Sequence, residues 1–493
     1  MSYKRTIIFR ADASPSIGMG HFTRTLALAE MLNDYFHCIF ATRQPTEYQI
    51  SEIEKICHGR IDLPEDDTHF KHFLNHLKGD EIVVLDNYYF TTEYQIAIKA
   101  KGCKLVCIDD MHAIHYVADV VINHAPLSSN LFSRAVYTKL LIGFDYALLR
   151  SEFFQEQPNR VVPKKLKKNI LCIGGADINN LTSKILDELI VIEQIEEITI
   201  VVGNSYQHFQ SLTQKINDYS ENKQINLFKN LNSNDLIDQM KISDFAIVPC
   251  STILFEAISQ KIPILTGYYV DNQKEIANHL KNHYKNILVL GDLNITSIRK
   301  DHIKYLENSI EQPYSPSINR NTKDRFLTSF ISLANEFDIK CRKANDYDVE
   351  TYFRWANNDI VRANAIKQQR IEYHNHVKWF KSKIKNKNSF LYVFEKENIE
   401  VGQIRFDKSA TYYIIDYSVD ENFRGEGYGT IILKLGLEQL LKDCKNNLHF
   451  VIKAQVKVDN KVSCRIFEKL HFVNTGIVEL NNNPFVEYEK KII

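Results

Sequence analysis

A histidine follows two glycines in the run SIGMGH, Ser16–His21. The chain before it, KRTIIFRADAS, reads as a strand, and the chain after it, FTRTLALAEML, as a helix. Gly18 and Gly20 let the backbone come close to a ligand. The helix that opens here offers unpaired N–H groups that suit an anion. A histidine beside that anion can move a proton near neutral pH. The chemistry implied is base catalysis on a phosphorylated substrate. A second constellation lies far downstream. YSVDENFRGEGYGTIIL sets Arg424, Gly425, Gly427, Tyr428 and Gly429 between a strand and a long helix. Glycines there leave main-chain N–H groups free to hold a pyrophosphate at the helix start.

Both loops need strands and helices to aim them. HCIFAT, EIVVLDN, CKLVCIDD and DVVINH are short apolar runs that each end at polar residues. Separated by helical stretches, they indicate a parallel sheet with its functional loops at the strand C-termini. After Arg150 comes a charged, proline-containing stretch, and then the opening theme recurs. KNILCIGGADINNLTSKILDEL is again strand, glycine loop and helix; EITIVVGNS, INLFKN, DFAIVPCSTILFEAI and IPILTGY continue the alternation. The expectation is two similar α/β halves, residues 1–158 and 159–337, facing across a cleft, with a closing helix near Lys323–Glu336. EQPYSPSINRN, rich in Pro, Ser and Asn, is the linker candidate.

From Asp338 the pattern changes. FDIKCRKAND is a strand and turn, and DYDVETYFRWANN is helical. NSFLYVFEKENIEVGQIRFDKSATYYIIDYSVD gives strands joined by short turns, an antiparallel meander. A helix, a strand and another helix follow. Residues 338–493 are therefore expected to form a separate α+β domain.

Composition narrows the function class. The 493 residues carry 61 basic and 61 acidic side chains, so bulk charge gives no reason to expect a nucleic-acid or acidic-membrane partner. The nine cysteines form no CxxC pair and read as free cytosolic thiols. No signal peptide or membrane span is visible, and a cytoplasmic protein is expected. His69, His72 and His76 have helical spacing that lets two of them bind a metal, yet a solvated helix face is the simpler reading, and no metal site is expected. Asp109 and Asp110 read as loop ties, and Asp177 as a possible turn residue.

The C-terminal pattern resembles the GNAT acetyltransferase superfamily, whose coenzyme A loop reads [QR]-x-x-G-x-[GA]; the likeness covers about Asp338–Val478. By that resemblance the main-chain N–H groups of Arg424–Gly429 bind the pyrophosphate of acetyl-CoA. The strand end at Tyr417–Val419 contacts the pantetheine arm, and Asn460 lines the same groove. The family often has a tyrosine in the helix before its closing GF. Phe467 stands near that place here, and His471 replaces the glycine. Asp416 and Tyr417 are candidates for proton transfer.

The blocks SIGMGH, VLDNYYF, CIDDMH, IGGAD, CSTILFEAI and DNQKEIA resemble, in this order, the hydrolases of the pseudaminic acid pathway. These remove UDP from a diacetamido-trideoxy-altrose. The likeness spans roughly residues 4–335 and is densest in RADASPSIGMGH. It implies the GT-B fold of two Rossmann halves, related to the UDP-GlcNAc transferase of peptidoglycan synthesis. It also implies that His21 activates water against the anomeric carbon. Tyr88 and Asn87 then sit near the sugar, and Gly174 and Gly175 let the nucleotide approach. Ser251 and Thr252 open a helix suited to the diphosphate. Glu256, one turn on, can accept from the ribose hydroxyls, and Asn272 and Gln273 face sugar or phosphate.

Two sites in one chain suggest consecutive steps. The C-terminal domain acetylates the amine of a UDP-linked 4-amino sugar, and the N-terminal cleft hydrolyses the diacetamido product to free sugar and UDP. Two other readings fit the same motifs. One is a UDP-sugar glycosyltransferase fused to an acetyltransferase. The other is a nucleotide-sugar-binding module joined to a protein acetyltransferase.

Overall fold

The computed structural model describes residues 4–14, 18–155, 160–175, 177–219, 223–281, 283–311, 318, 321–444 and 450–492. The expected boundary at 158/159 lies outside the described residues, as does most of the EQPYSPSINRN linker. The chain packs as two compact units. One comprises Met1–Ser133 and Leu140–Ser329; the other comprises Arg134–Lys139 and Phe330–Ile493.

The first unit contains two sheets. The first sheet is built from β1 (Thr6–Ala11), β2 (His37–Arg43), β3 (Gly59–Leu63), β4 (Ile82–Asp86), β5 (Lys104–Ile108), β6 (Val120–Asn123) and β7 (Lys139–Ile142). Its order is β3-β2-β1-β4-β5-β6-β7, and the five pairings from β3 to β6 are parallel. Ile7, Phe9 and Arg10 on β1 are 0% exposed, so both faces of this strand are covered, as a parallel sheet requires. The second sheet is built from β8 (Lys168–Leu171), β9 (Glu197–Val202), β10 (Gln224–Lys229), β11 (Phe245–Pro249), β12 (Ile264–Tyr268) and β13 (Ile287–Asp292). It is wholly parallel in the order β10-β9-β8-β11-β12-β13. Both halves are thus Rossmann-like. In each, strand order reverses beside the first strand, which opens a crevice at the strand C-termini. GRIDL (β3) carries no apolar run. It is a half-exposed edge strand, where charged residues discourage further pairing.

The second unit holds a mixed sheet of β14 (Ile339–Lys343), β15 (Ser389–Lys396), β16 (Ile399–Ser409), β17 (Tyr412–Val419), β18 (Phe450–Lys457), β19 (Val473–Leu480) and β20 (Asn483–Ile492). The order is β14-β15-β16-β17-β18-β20-β19. Every pairing is antiparallel except β17 with β18. The unit begins earlier than residue 338. The closing helix runs Asn321–Glu336, and its last two turns, from Phe330, belong here. Lys434 Nζ bonds both oxygens of Glu336 at 2.8 Å, and both side chains are buried. Buried charges are stable only when paired, so Glu336 goes with this core. The segment Arg134–Lys139 also belongs to this unit. Six residues carry no compositional shift that would mark them in the sequence.

Among the described residues, no helix is long and apolar enough to cross a membrane.

Two glycines set how closely the helix Tyr428–Asp443 lies on the mixed sheet. A Cβ at Gly436 would come 2.7 Å from Ile404, and one at Gly402 would come 2.5 Å from the Ser418 carbonyl and 2.6 Å from Ile432. The Ser418 carbonyl is backbone and cannot yield cheaply. Gly402→Ala is therefore expected to destabilise the second unit by about 1–3 kcal/mol. Urea unfolding followed by tryptophan fluorescence checks this, since both tryptophans, Trp355 and Trp379, lie in that unit. An unchanged midpoint would contradict the close packing.

Candidate active sites

The opening loop of the first unit is closed by a hydrogen bond from the Gly18 N–H to the Ser14 carbonyl, 2.7 Å. Gly18 has φ +82°, a conformation that favours glycine. A Cβ at Gly18 or Gly20 would meet nothing within 4 Å, so this face of the loop is open. Ser16 and Ile17 of the motif lie outside the described residues. The helix Gly20–Leu32 starts with no side-chain cap and no acidic residue in its first turn. Its N–H groups are thus not countered by a local carboxylate.

His21 points inward and is 5% exposed. Its Nδ1 lies 2.6 Å from Asp86 Oδ1. Asp86 ends β4, beside the end of β1, which places it under the loop. Its carboxylate also accepts from Arg24 Nε (2.7 Å), Arg24 Nη2 (2.6 Å) and the Thr25 hydroxyl (2.8 Å). Burial alone would raise this carboxyl; Arg24 and His21 outweigh it and hold it well below the usual carboxylate range. Arg24 Nη2 is also 3.2 Å from His21 Nδ1. Both groups would be donors there, so the shorter bond to Asp86 decides the tautomer: Nδ1 carries the proton and Nε2 the lone pair.

Arg24 reaches on to Asp110 Oδ2 at 2.9 Å. The Tyr88 hydroxyl donates to the same oxygen at 3.1 Å and accepts from Asn272 Nδ2 at 2.7 Å. The Tyr88 ring stands edge-on to His21, centroids 4.5 Å apart. Three sequence-predicted residues from three segments, His21, Tyr88 and Asn272, are thus in one cluster, with Asn272 contributed by the second half. Asp110 Oδ1 and Asn272 Oδ1 are buried without a hydrogen-bond partner. Asp109 ties its loop, accepting from the His112 N–H. Asp110 does not; it is part of the histidine network.

Asp86, Arg24 and Thr25 escaped sequence reasoning. Two signals were available: Asp86 ends an apolar strand, and Arg24 is three residues from His21 on the same helix face. Asp12 was missed as well. It is buried, takes Arg10 and Arg43 as charge partners, accepts from Tyr89, and gives its N–H to Asn87 Oδ1 at 2.8 Å. Asn87 is therefore braced from behind. His69 is not on a solvated face. It is 2% exposed with Nδ1 3.3 Å from Arg10, and burial pushes it down to about 4. Among the described residues, no group of three or more His, Cys, Asp or Glu could hold a metal ion.

In the second half, Gly174 (φ +104°) and Gly175 face open space. The helix that follows, Leu181–Ile190, is not available to an anion. Both oxygens of the buried Asp177 accept from its first turn, from Leu181 N and Thr182 N at 2.8 Å. The helix Thr252–Ser259 differs: its N-cap Ser251 makes no capping bond, and no acid stands in its first turn. Glu256 is 5% exposed and bonds Arg150 Nη2 at 3.1 Å; burial raises its carboxyl and Arg150 works the other way. Gln273 turns inward, its Oε1 accepting from the Tyr269 N–H at 3.1 Å. It braces the turn that carries Asn272 and does not face a ligand as expected.

In the second unit, Gly425 (φ +84°) and Gly427 (φ +86°) form a turn onto the helix Tyr428–Asp443, and a Cβ on either would meet nothing. That helix too has no side-chain cap and no first-turn acid. Arg424 holds the turn in place, bonding the Val419 carbonyl and Asn358 Oδ1. Gly429 is packed: a Cβ would come 2.9 Å from Ile466 and 3.7 Å from Tyr417 and Val419. Tyr428 is buried, its hydroxyl accepting from Lys396 at 3.0 Å. Asn460 caps the helix Lys461–Lys469 through Ser463 N, 3.1 Å, so its Oδ1 is engaged in the cap.

Residues 339–473 match the family model described as an acetyltransferase (GNAT) domain, and this part of the chain is a GNAT domain. The chain is 25% identical to an uncharacterised protein of Methanocaldococcus jannaschii over 94% of its own length and 96% of that protein's. Over 56% of this chain and 95% of the relative, it is 29% identical to UDP-2,4-diacetamido-2,4,6-trideoxy-beta-L-altropyranose hydrolase of Campylobacter jejuni. Over 54% of this chain and 78% of the relative, it is 25% identical to spore coat polysaccharide biosynthesis protein SpsG of Bacillus subtilis. The last two similarities fall in the N-terminal half, so the chain is a fusion of that hydrolase-like part with a GNAT domain.

Asp12 and Asp86 are both held below the normal range when folded, against burial that opposes it. In the unfolded chain they titrate near pH ~4. The unfolded state then binds more protons, so their contribution is complete above that value and is lost as pH falls below it. Hydrogen exchange in peptides spanning β1 and β4 should accelerate between pH 5 and pH 3, after correction for intrinsic rates. Asp86→Asn should flatten the response; a pH-independent wild type would contradict the ionised pair.

Proposed function

We propose that the first unit hydrolyses a UDP-linked diacetamido-trideoxy sugar and that the GNAT domain acetylates the amine of its UDP-4-amino-4,6-dideoxy precursor. The hydrogen bond from His21 to Asp86 carries the first assignment. With Nδ1 fixed, Nε2 is the nitrogen that takes a proton from water, and Asp86 stabilises the imidazolium that results. Arg24 keeps Asp86 ionised and so keeps the ring in one tautomer.

Tyr88 and Asn272 orient the sugar, with Asn87 braced beside them. The start of the helix Thr252–Ser259 receives the UDP diphosphate, aided by Ser251 and Thr252. Gly18, Gly20, Gly174 and Gly175 give the backbone clearance on the two facing loops, in the manner of a GT-B cleft. Glu256 contacts the ribose, with Arg150 setting its orientation. Water attacks the anomeric carbon, the sugar C–O bond breaks, and UDP leaves. The 29% identity to a hydrolase named for such a substrate supports this reading.

In the GNAT domain, acetyl-CoA supplies an activated acetyl group. The open turn at Gly425 and Gly427 and the uncapped helix behind it fit a pyrophosphate bound by main-chain N–H groups. Arg424 and Tyr428 hold that turn and helix in place. Val419 ends the strand beside it, Gly429 keeps the helix close, and Asn460 fixes the start of the neighbouring helix. Both sites act on nucleotide-linked or CoA-linked substrates within one cytoplasmic chain.

His21→Ala is expected to lower UDP release from the diacetamido sugar by roughly 100-fold or more while UDP still binds. Near-normal turnover would remove His21 from the mechanism. Hydrolysis in oxygen-18 water without any acceptor should place the label in the free sugar and not in UDP. Label in UDP would mean attack on phosphorus; a strict need for an acceptor would mean a glycosyltransferase.

A further inference from the structure

The Tyr88 hydroxyl has a single proton and two polar neighbours. Asp110 Oδ2 lies 3.1 Å away on one side and Asn272 Nδ2 2.7 Å away on the other. Burial would raise the Asp110 carboxyl; Arg24 and His21 outweigh it and hold it below its usual range, so it is ionised and can only accept. The Tyr88 proton is therefore committed to Asp110. The hydroxyl oxygen must then accept from Asn272, which settles the orientation of that amide, with Nδ2 toward Tyr88 and Oδ1 turned away. The charge on Asp110 thus fixes the polarity of the whole row from Asp110 through Tyr88 to Asn272.

Both ends of this row are acceptors, and neither has a donor. Asp110 Oδ1 and Asn272 Oδ1 are buried with no hydrogen-bond partner. Arg24 is committed elsewhere: its Nη1 bonds Asp110 Oδ2, and its Nε and Nη2 bond Asp86. Leaving an ionised oxygen buried without a donor is costly, so a bound group is expected to complete it. The row borders open space. The Asp110 side chain is 13% exposed, and Tyr88, between the two ends, is 51% exposed. Tyr88 also stands edge-on to His21, so a ligand that faces the base faces this row as well.

Two acceptors select a ligand by its donors. Once UDP occupies its anomeric oxygen, a 2,4-diacetamido-2,4,6-trideoxy sugar offers two amide N–H groups and one hydroxyl. Two oxygens filled by that sugar take at least one amide N–H.

We infer that Asp110 and Asn272 determine specificity by accepting hydrogen bonds from the sugar, at least one of them from an acetamido N–H. This rests on the reading of the first unit as a hydrolase of a UDP-linked diacetamido sugar. Asp110 acts twice, through its own Oδ1 and by holding Asn272 in the accepting orientation through Tyr88.

Substrate analogues test this on the full-length protein. In two of them an ester oxygen replaces an amide N–H, at the 2-position in one and at the 4-position in the other. For at least one ester, wild-type protein should release UDP with a kcat/KM roughly 10- to 100-fold below that for the diamide, because a buried acceptor then faces an oxygen that cannot donate. Asp110→Asn should shrink that ratio by about tenfold. In this variant Arg24 and Tyr88 draw the side-chain oxygen toward themselves, which turns an N–H toward the sugar; that N–H opposes an amide N–H and suits an ester oxygen. Each ratio compares two substrates on one protein, so a general loss of activity cancels. Equal hydrolysis of the diamide and both esters by wild-type protein would overturn the inference and leave the hydrolase reading intact. So would an unchanged ratio in an Asp110→Asn protein that still binds UDP. If none of the three sugars is released, calorimetric binding of the diamide in preference to an ester, with the same dependence on Asp110, would uphold the recognition and remove the hydrolysis; equal binding would overturn both.

Discussion

The Asp86 carboxylate is the constraint on which the N-terminal site depends. A buried carboxylate is costly unless ionic partners and hydrogen bonds satisfy it. Here it has four donors, from His21, Arg24 twice, and Thr25, all on one helix. That set fixes the rotation of the helix against β4 as well as the tautomer of the ring. Arg24 then carries the constraint to Asp110 on the loop after β5, Asp110 to Tyr88, and Tyr88 to Asn272 in the second half. One satisfied charge thereby organises four segments around the open face of a glycine loop.

Helix starts in this chain are finished in different ways, and some with no proposed ligand, Thr68–His76 and Tyr373–Lys385, also lack both a side-chain cap and a first-turn acid. Helices Glu47–Ile56 and Thr92–Ala100 have a threonine cap and a glutamate in the first turn, the arrangement that stabilises an end for its own sake. Helices Gly20–Leu32, Thr252–Ser259 and Tyr428–Asp443 have neither. The last two begin where the proposed ligands carry phosphate, and the first begins beside the sugar. Local stability is forgone at those ends, and an anion would restore it.

The fold was legible wherever apolar runs were long. β1, β4, β5, β8 and β9 are largely buried strands, and in the meander β15 and β16 are buried continuously at their centres while β17 comes nearest to alternation. What escaped was short or non-local. GRIDL is an edge strand with two charges; Arg134–Lys139 owes its place to tertiary packing; and Glu336 belongs with Lys434, far away in sequence. The same holds for the sites. Glycine turns and His21 could be read from local pattern, because backbone conformation and helix starts are local. Asp86, Asp12 and Arg24 carry only faint local signals, because much of their meaning lies in partners 31 to 86 residues distant. Gln273 and Asp177 show the converse, since polar residues beside a motif can be spent on holding the motif's own backbone.

The segment Arg134–Lys139 has a consequence for how this chain can be cut or exchanged. It lies between two stretches of the first unit yet belongs with the second. The second unit is thus assembled from two pieces of chain and is not a terminal appendage. No single scission yields both units whole: truncation after residue 329 strands six residues without their core, and the excised piece lacks them. Any transplant of the GNAT domain would have to carry a loop of its neighbour, so that no single cut in the chain separates the two units.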